Sequence, residues 1–163
     1  MINSFTAIDF KTANINPWSI CQIGFVHVVN GLACEQLSIL AQPPNNFYRE
    51  NSFEITGITP EMTANAPRFN LIWHQIAPFI RNQDVVSRYA FLNFLCLKQT
   101  LEYYKIPVPQ FTGHCTKKIF KESLTTLCRR YNITLNPRDV LSNANACAEL
   151  FGLHLHSVQH SDQ

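Results

Sequence analysis

The chain has 163 residues, 46% of them hydrophobic and 12% aromatic, with a net charge of +2 and a pI near 8.2. That is ample for one packed domain, and it excludes the charge density of an obligate nucleic-acid coat or a membrane-surface protein, so any contact with nucleic acid has to be local. The six cysteines (Cys21, Cys34, Cys96, Cys115, Cys128, Cys147) contain no C-x-x-C pair and read as reduced core thiols of a cytoplasmic protein.

Residues 4–9, 19–28 and 33–41 are rich in β-branched and aromatic residues, with Asn30-Gly31 between the last two, which predicts a three-stranded meander closed by a tight hairpin. No basic-then-apolar leader precedes the first strand. Residues 42–54 are polar and proline-bearing and read as an exposed loop, the most mobile internal segment expected. Thr59, Pro60 and Glu61 have the N-cap, first-position and first-turn chemistry of a helix start. Phe69, Ile72, Trp73, Ile76, Phe79 and Ile80 recur at helical spacing, and residues 84–87 then read as a short buried strand. Apolar positions 90, 94, 97, 101 and 104 make one stripe of a long helix ended by Pro107. That apolar region is interrupted by Asn93 and falls short of the roughly 20 residues of a membrane helix, so no transmembrane segment is expected.

A further strand is expected over 111–117, a helix over 121–133, and a last helix from 139 with Asp139 as N-cap and Ala144, Cys147, Ala148 and Phe151 on one face. The order βββ-α-β-α-β-α-α predicts an α/β fold, a mixed five-stranded sheet made of an antiparallel meander plus two strands and flanked by helices on both sides. Residues 1–163 read as a single domain, with 156–163 as a C-terminal tail.

Four strings carry the chemistry. The first strand ends in Asp9-Phe10-Lys11-Thr12, and the second opens with Ser19 to Gly24. Ile55-Thr56-Gly57-Ile58-Thr59 precedes a helix, Arg88, Tyr89 and Asn93 follow the fourth strand, and Arg138 and Asn143 flank the start of the last helix. In this order and spacing they resemble the DnaQ-like 3′-5′ exonucleases of the DEDDh class, over about residues 3–155. The family patterns are D-[FL]-E-T, I-H-G-I-T, V-x-H-N-x-x-F-D and H-D-A-x-x-D-A. The resemblance implies a ribonuclease-H-like fold and places the five catalytic positions at Asp9, Lys11, Asn93, Arg138 and Asn143. Thr56 stands where the second string has His, and Arg88 and Tyr89 stand on the His-Asn of the third.

Family chemistry uses two divalent ions roughly 3.5–4 Å apart, held by hard oxygen ligands. The family carboxylates supply a formal charge of about minus four, whereas Asp9, Lys11, Asn93, Arg138 and Asn143 sum to about plus one, a sign that repels Mg²⁺. Arg138 cannot serve as a general base, because its guanidinium stays protonated. The expectation is a degenerate site in which Asp9 is the one retained ligand. No metal cofactor is expected, and Mg²⁺ or Mn²⁺ would matter only with residual activity.

Such a pocket favours phosphate, which suggests a catalytically inactive exonuclease-like protein that binds single-stranded DNA or RNA 3′ ends through Phe10, Lys11, Thr12, Gly57, Ile58, Arg88, Tyr89 and Arg138, or serves as a subunit of a nucleic-acid-processing complex. Two other readings stand beside it. One is a protein-interaction module that binds no nucleic acid, with Trp18 and Phe47 as surface candidates. The other is an active metal-dependent exonuclease with ligands relocated to Asp139, Glu54 or Asp84.

Bland readings also remain open. Lys11 is a phosphate ligand or a solvated lysine, and Asp9 is expected to pair ionically with Lys11 or Arg138. Arg88 and Tyr89 clamp a base, or are a solvent-facing Arg beside a core-packing Tyr. Asn93 and Asn143 also read as polar lining of an old cleft. Lys117, Lys118, Lys121, Arg129 and Arg130 form a basic patch or a solvated helix face. His154, His156 and His160 form a metal tail or a frayed end.

Overall fold

The alternation of buried residues along the first strand decides which way the site faces. In the computed structural model, which describes residues 1–161, β1 (Ser4–Thr12) is the middle of a five-stranded sheet. With β2 (Ile20–Val29), β3 (Leu32–Leu40), β4 (Asp84–Ser87) and β5 (Thr112–Cys115) the order is β3-β2-β1-β4-β5. β1–β2 and β2–β3 pair antiparallel, while β1–β4 and β4–β5 pair parallel.

Ile8 and Phe10 point into one core layer with Ile23, Phe25, Val85 and the apolar stripes of α3 (Phe69–Ile76) and α4 (Ala90–Tyr103). Phe5 and Ala7 point to the other layer, where Val26, Val28 and Val86 meet Ala144, Cys147, Ala148 and Phe151 of α7 (Val140–Ser161). Side chains alternate faces along a strand, so Asp9 and Lys11 emerge on the α7 side.

The predicted architecture is present, with three local differences. The segment 42–54 is not a featureless loop. It holds a 3-10 turn (Pro44–Asn46) and most of a short helix, α1 (Ser52–Thr56), which ends in Gly57 at φ 72°. It is also tied down by Asn14 Nδ2 to the Phe47 carbonyl (2.9 Å) and by the Tyr48 hydroxyl to Thr63 Oγ1 (2.8 Å). A single turn of helix buries too few side chains to show a period in sequence. The expected start at Thr59 is present: α2 (Pro60–Thr63) begins there, with the Thr59 hydroxyl accepting from Met62 N at 3.3 Å.

The helix expected over 121–133 is present but shorter: α6 (Leu124–Tyr131) starts behind Ser123 as N-cap, and a separate short helix not expected from the sequence, α5 (Thr116–Phe120), precedes it and stops at Lys121, which adopts φ 59°. Strand 111–117 is correspondingly shortened to β5. The tail expected from 156 continues α7 as helix to Ser161, while residues 162–163 lie outside the described residues. Of the cysteines, Cys34 is exposed on β3 and Cys115 only partly buried, so these two are not core thiols; all six are free.

Gly24, directly opposite Asp9 in the β1–β2 pairing, lets α7 approach the sheet. A Cβ there would lie 2.7 Å from the Val140 carbonyl carbon, closer than packed atoms approach. The first turn of α7 therefore lies against the backbone beside Asp9. Gly24→Ala is expected to destabilise the protein by about 1–3 kcal/mol through overpacking. Gly152→Ala in the middle of α7, where an added Cβ meets nothing within 4 Å, is expected to stabilise it by roughly 0.5–1 kcal/mol. Urea unfolding of the two variants beside the parent checks both signs.

Candidate functional site

Each of the five positions singled out by the resemblance sits where an element begins or ends, and they converge on the α7 side of β1. Asp9 lies near the end of β1. Asn93 occupies the first turns of α4, and Asn143 the first turn of α7. Asn143 Nδ2 donates to Asp9 Oδ2 at 3.0 Å and to the Pro137 carbonyl at 3.1 Å. Asn93 Nδ2 donates to Asp9 Oδ1 at 3.3 Å and to Ser87 Oγ at 2.5 Å, while its Oδ1 accepts the Phe10 amide at 3.3 Å. Asn93, only 4% exposed, thus ties the ends of β1 and β4 to α4.

The expected ion pair between Asp9 and Lys11 or Arg138 is not formed. Among the described residues the Lys or Arg ion pair is Arg130–Glu122, and His114 lies 2.7 Å from Asp84; neither contact involves Asp9. Lys11 Nζ donates instead to the Thr56 carbonyl at 2.7 Å and to the Arg138 carbonyl. Arg138 Nη2 donates to the carbonyls of Glu54 (2.9 Å) and Phe53 (3.3 Å). Both cations therefore serve the C-terminal carbonyls of α1, where positive charge is favourable; the Phe53 carbonyl already accepts the Gly57 amide there, while those of Glu54 and Thr56 are left by the helix end for side chains to satisfy. Lys11 is neither a bare solvated lysine nor an ammonium paired with Asp9.

Burial pushes the Asp9 carboxyl up from 3.8 to about 6, against the opposing pull of Asn143, Asn93, Lys11 and the Phe10 amide. Burial also lowers Lys11, with Asp9, Cys21 and Asp139 opposing and Arg138 adding to the fall.

Arg88 and Tyr89 reverse the bland expectation. The guanidinium is buried, with Arg88 6% exposed, and the Tyr89 ring is half in solvent. Arg88 Nη2 donates to the Glu122 carbonyl, and its carbon lies 5.6 Å from the Tyr89 ring centroid; Lys117 Nζ lies 5.2 Å from the same ring. Phe10 and Ile58, expected at a terminal base, are core residues. Thr12 lines an open cleft of about 400 Å³ beside Asp9, together with Ile15, Arg49, Ile55 and Pro137. Gly57 serves as the left-handed cap of α1, its amide donating to the Phe53 carbonyl at 2.7 Å.

Of the relocated-ligand candidates, Asp139 accepts the Leu141 amide (2.9 Å) as the N-cap of α7. Glu54 is an exposed residue of α1. Asp84 bonds His114 at 2.7 Å and lies one residue before the Thr6/Val85 pairing, which puts it about 13 Å along the sheet from Asp9. Trp18 stacks on Tyr103, whereas Phe47 is exposed. Arg130 of the suspected basic patch is committed to Glu122 by two bonds of 2.6 Å. Reasoning from sequence missed Ser87, the hydroxyl that orients Asn93, and the α1 carbonyls that receive Lys11 and Arg138. A small hydroxyl at a strand end carries no periodic signal, and backbone acceptors carry none at all.

The family model RNase_T, described as Exonuclease, matches residues 6–160. The chain belongs to this exonuclease family. It is 25% identical over 150 residues to the DNA polymerase III subunit epsilon of Buchnera aphidicola subsp. Baizongia pistaciae, covering 81% of this chain and 61% of that one. It is 29% identical over 97 residues to the PolC-type DNA polymerase III of Thermotoga petrophila, covering 58% of this chain and 7% of that one. The chain thus spans only part of the length of these relatives.

Among solved structures, the nuclease domain of 3′hExo, a DEDDh family member, bound to rAMP superposes with a TM-score of 0.75 at 13% identity, covering 96% of this chain and 93% of that one. E. coli Exonuclease I in complex with a dA16 oligonucleotide gives a TM-score of 0.78 at 12% identity, covering 93% of this chain and 40% of that one. The DEDDh resemblance and the ribonuclease-H-like sheet are both borne out.

This family implies a divalent metal pair, and the donor set around Asp9 does not fit one. A single carboxylate has both oxygens occupied by amide N–H donors, and the adjoining positions hold an ammonium and a guanidinium. Among the described residues no group of three or more His, Cys, Asp and Glu gathers as a metal cage.

Two consequences for stability follow from the network. Between pH 3.8 and about 6 the folded chain holds the Asp9 proton more tightly than the unfolded chain does. Stability therefore falls as pH rises through that window and stays reduced above it. Asp9→Asn is expected to lack this fall, so its stability relative to the parent should rise by about 1–3 kcal/mol between the acid end of the window and neutral pH, as checked by chemical denaturation across that range. Asn93→Asp sets a second carboxylate against Asp9 and removes two donors. It is expected to cost about 1–3 kcal/mol at neutral pH and less in acid, by the same measurement.

Proposed function

We propose that this chain is a catalytically inactive exonuclease-fold protein that holds a single-stranded nucleic-acid 3′ end in the cleft beside Asp9 without cutting it. The observation that carries this reading is the Asn93–Asp9–Asn143 network. The positions that would hold two metal ions instead hydrogen-bond to one another, so nothing is left to concentrate a divalent cation or to generate hydroxide. Arg138 offers no proton-accepting atom at any physiological pH.

Support for retained binding comes from the cleft itself. Ile15 and Ile55 line it with exposed apolar surface, Arg49 supplies positive charge at its wall, and Tyr89 presents an open ring nearby. Exposed rings and apolar side chains beside a basic wall are what stacked bases and a phosphate backbone require. One relative is named as a subunit of a DNA polymerase, which supports a place for this chain in a nucleic-acid-processing complex. Six free thiols suit a reducing cytoplasm.

A second reading, a protein-interaction module, is favoured by one feature. Phe91 and Leu92, on the first turn of α4 beside Tyr89, are 83% and 55% exposed. Apolar residues placed together in solvent are characteristic of partner surfaces.

The decisive experiment has two arms on the purified chain. Calorimetric titration with Mg²⁺ and Mn²⁺ is expected to show no binding at the Asp9 site, while fluorescence anisotropy with a labelled single strand at low salt is expected to show saturable, salt-sensitive binding. Metal-dependent release of nucleotides from the 3′ end, abolished by Asp9→Ala, would sink the inactive reading. Absence of oligonucleotide binding would leave the interaction module as the function. The combined reversion Lys11→Glu, Asn93→Asp, Arg138→His and Asn143→Asp is expected to gain Mg²⁺ binding that the parent lacks.

A further inference from the structure

We propose that the cleft between the end of β4 and the start of α6 is an oxyanion site for a phosphate-class group, with Arg88 as its cation. As the seat of a strand phosphate it rests on the reading above; as an anion pocket it stands by itself.

Among the described residues Arg88 is a buried charge with idle donors. It is 6% exposed, and its Nε and Nη1 have no hydrogen-bond partner and are shielded from solvent. Nη2 is spent on the Glu122 carbonyl, and among the described residues no carboxylate lies within ion-pairing distance of it. A guanidinium buried with idle donors and no counter-charge is costly, and an anion is what would offset it.

A second, separate feature points into the same space. Arg88 lines a cleft of about 270 Å³ together with Tyr89, Ser123, Leu124, Thr125 and Asn143, and Asp9 and Pro137 close its far side. α6 begins there. Ser123 Oγ takes the Thr126 amide at 3.0 Å and the Ser123 carbonyl takes the Leu127 amide at 3.0 Å. The amides of Leu124 and Thr125 have no carbonyl four residues back within the helix. The first turn of α6 holds no acidic residue, and Glu122, just before its N-cap, is bonded to Arg130.

The start of a helix and a planar guanidinium bordering one cleft suit a tetrahedral oxyanion, which offers oxygens in both directions. Lys117, over the Tyr89 ring, adds to the field. Asp9, across the cleft, keeps the anion on the Arg88 side. The idle nitrogens are closed to water in the free protein, so binding requires the guanidinium to turn into the cleft and release Glu122.

The chemistry fits an internucleotide phosphate or a free phosphate monoester, and the test separates them. The full chain, Arg88→Met and Arg88→Lys are melted in inorganic phosphate and in chloride at matched ionic strength, and each is titrated with adenosine monophosphate and with a labelled single strand. Arg88→Met keeps the volume and removes the uncompensated charge, so it is expected to fold at least as well as the parent in chloride. Phosphate is expected to raise the melting temperature of the parent and not of Arg88→Met, with affinity down about tenfold or more. Arg88→Lys, which keeps a charge but not the fork, is expected to fall between them.

An equal response to phosphate in all three chains, or none in the parent, overturns the pocket. A single strand that competes with phosphate and weakens in Arg88→Met supports the pocket as a strand seat. Phosphate binding with no strand binding keeps the pocket and overturns the single-strand reading. Strand binding indifferent to Arg88 does the reverse.

Discussion

The two carboxamide bonds onto Asp9 join three elements that would otherwise meet only through apolar packing. β1 supplies the carboxylate, α4 supplies Asn93 and α7 supplies Asn143. In a metal-dependent exonuclease the corresponding carboxylates repel one another, and the ions hold them together. Here Asn93 and Asn143 both donate to the Asp9 carboxylate, so hydrogen bonds tie the three elements together. Gly24 is the steric condition for this arrangement, because only a residue without Cβ lets the α7 backbone come close enough to the sheet for Asn143 to reach Asp9.

Lys11 and Arg138 make a similar exchange on the other side. Their charges face the carbonyl end of α1 and bond Thr56, Glu54 and Phe53. A five-residue helix cannot hold its shape by propensity alone. Two cations on its last turn fix it against the end of β1 and the approach to α7, and so close one wall of the cleft. The substitutions thus have structural uses that account for their residue types.

Much of this was legible before any coordinates. The order of elements carried the mixed five-stranded sheet, and the four strings named the five positions that converge on it. What stayed hidden was who bonds whom. The ion pair expected at Asp9 failed because amides reached the carboxylate first, while the cations found backbone acceptors on a helix that its polar, proline-bearing sequence concealed. Arg88 and Tyr89 exchanged their expected places for a related reason. Residue type predicts average burial, but Arg88 is drawn in by the Glu122 carbonyl ahead of α6, a contact set by the tertiary fold rather than by a local period.

The retention of Asp9 then has an explanation that does not require catalysis. Asn93 and Asn143 both direct Nδ2 toward it, and a neutral amide in its place would offer one acceptor oxygen where a carboxylate offers two. Asp9 therefore carries a desolvation cost and satisfies two donors at once, and the donors in turn depend on it. That mutual dependence makes the route back to a metal site uneven. Restoring one carboxylate beside Asp9 adds repulsion before any ion is bound to offset it, while restoring a carboxylate at Lys11 strips the cap from α1. The network therefore responds as a unit, and its members are costly to change one at a time.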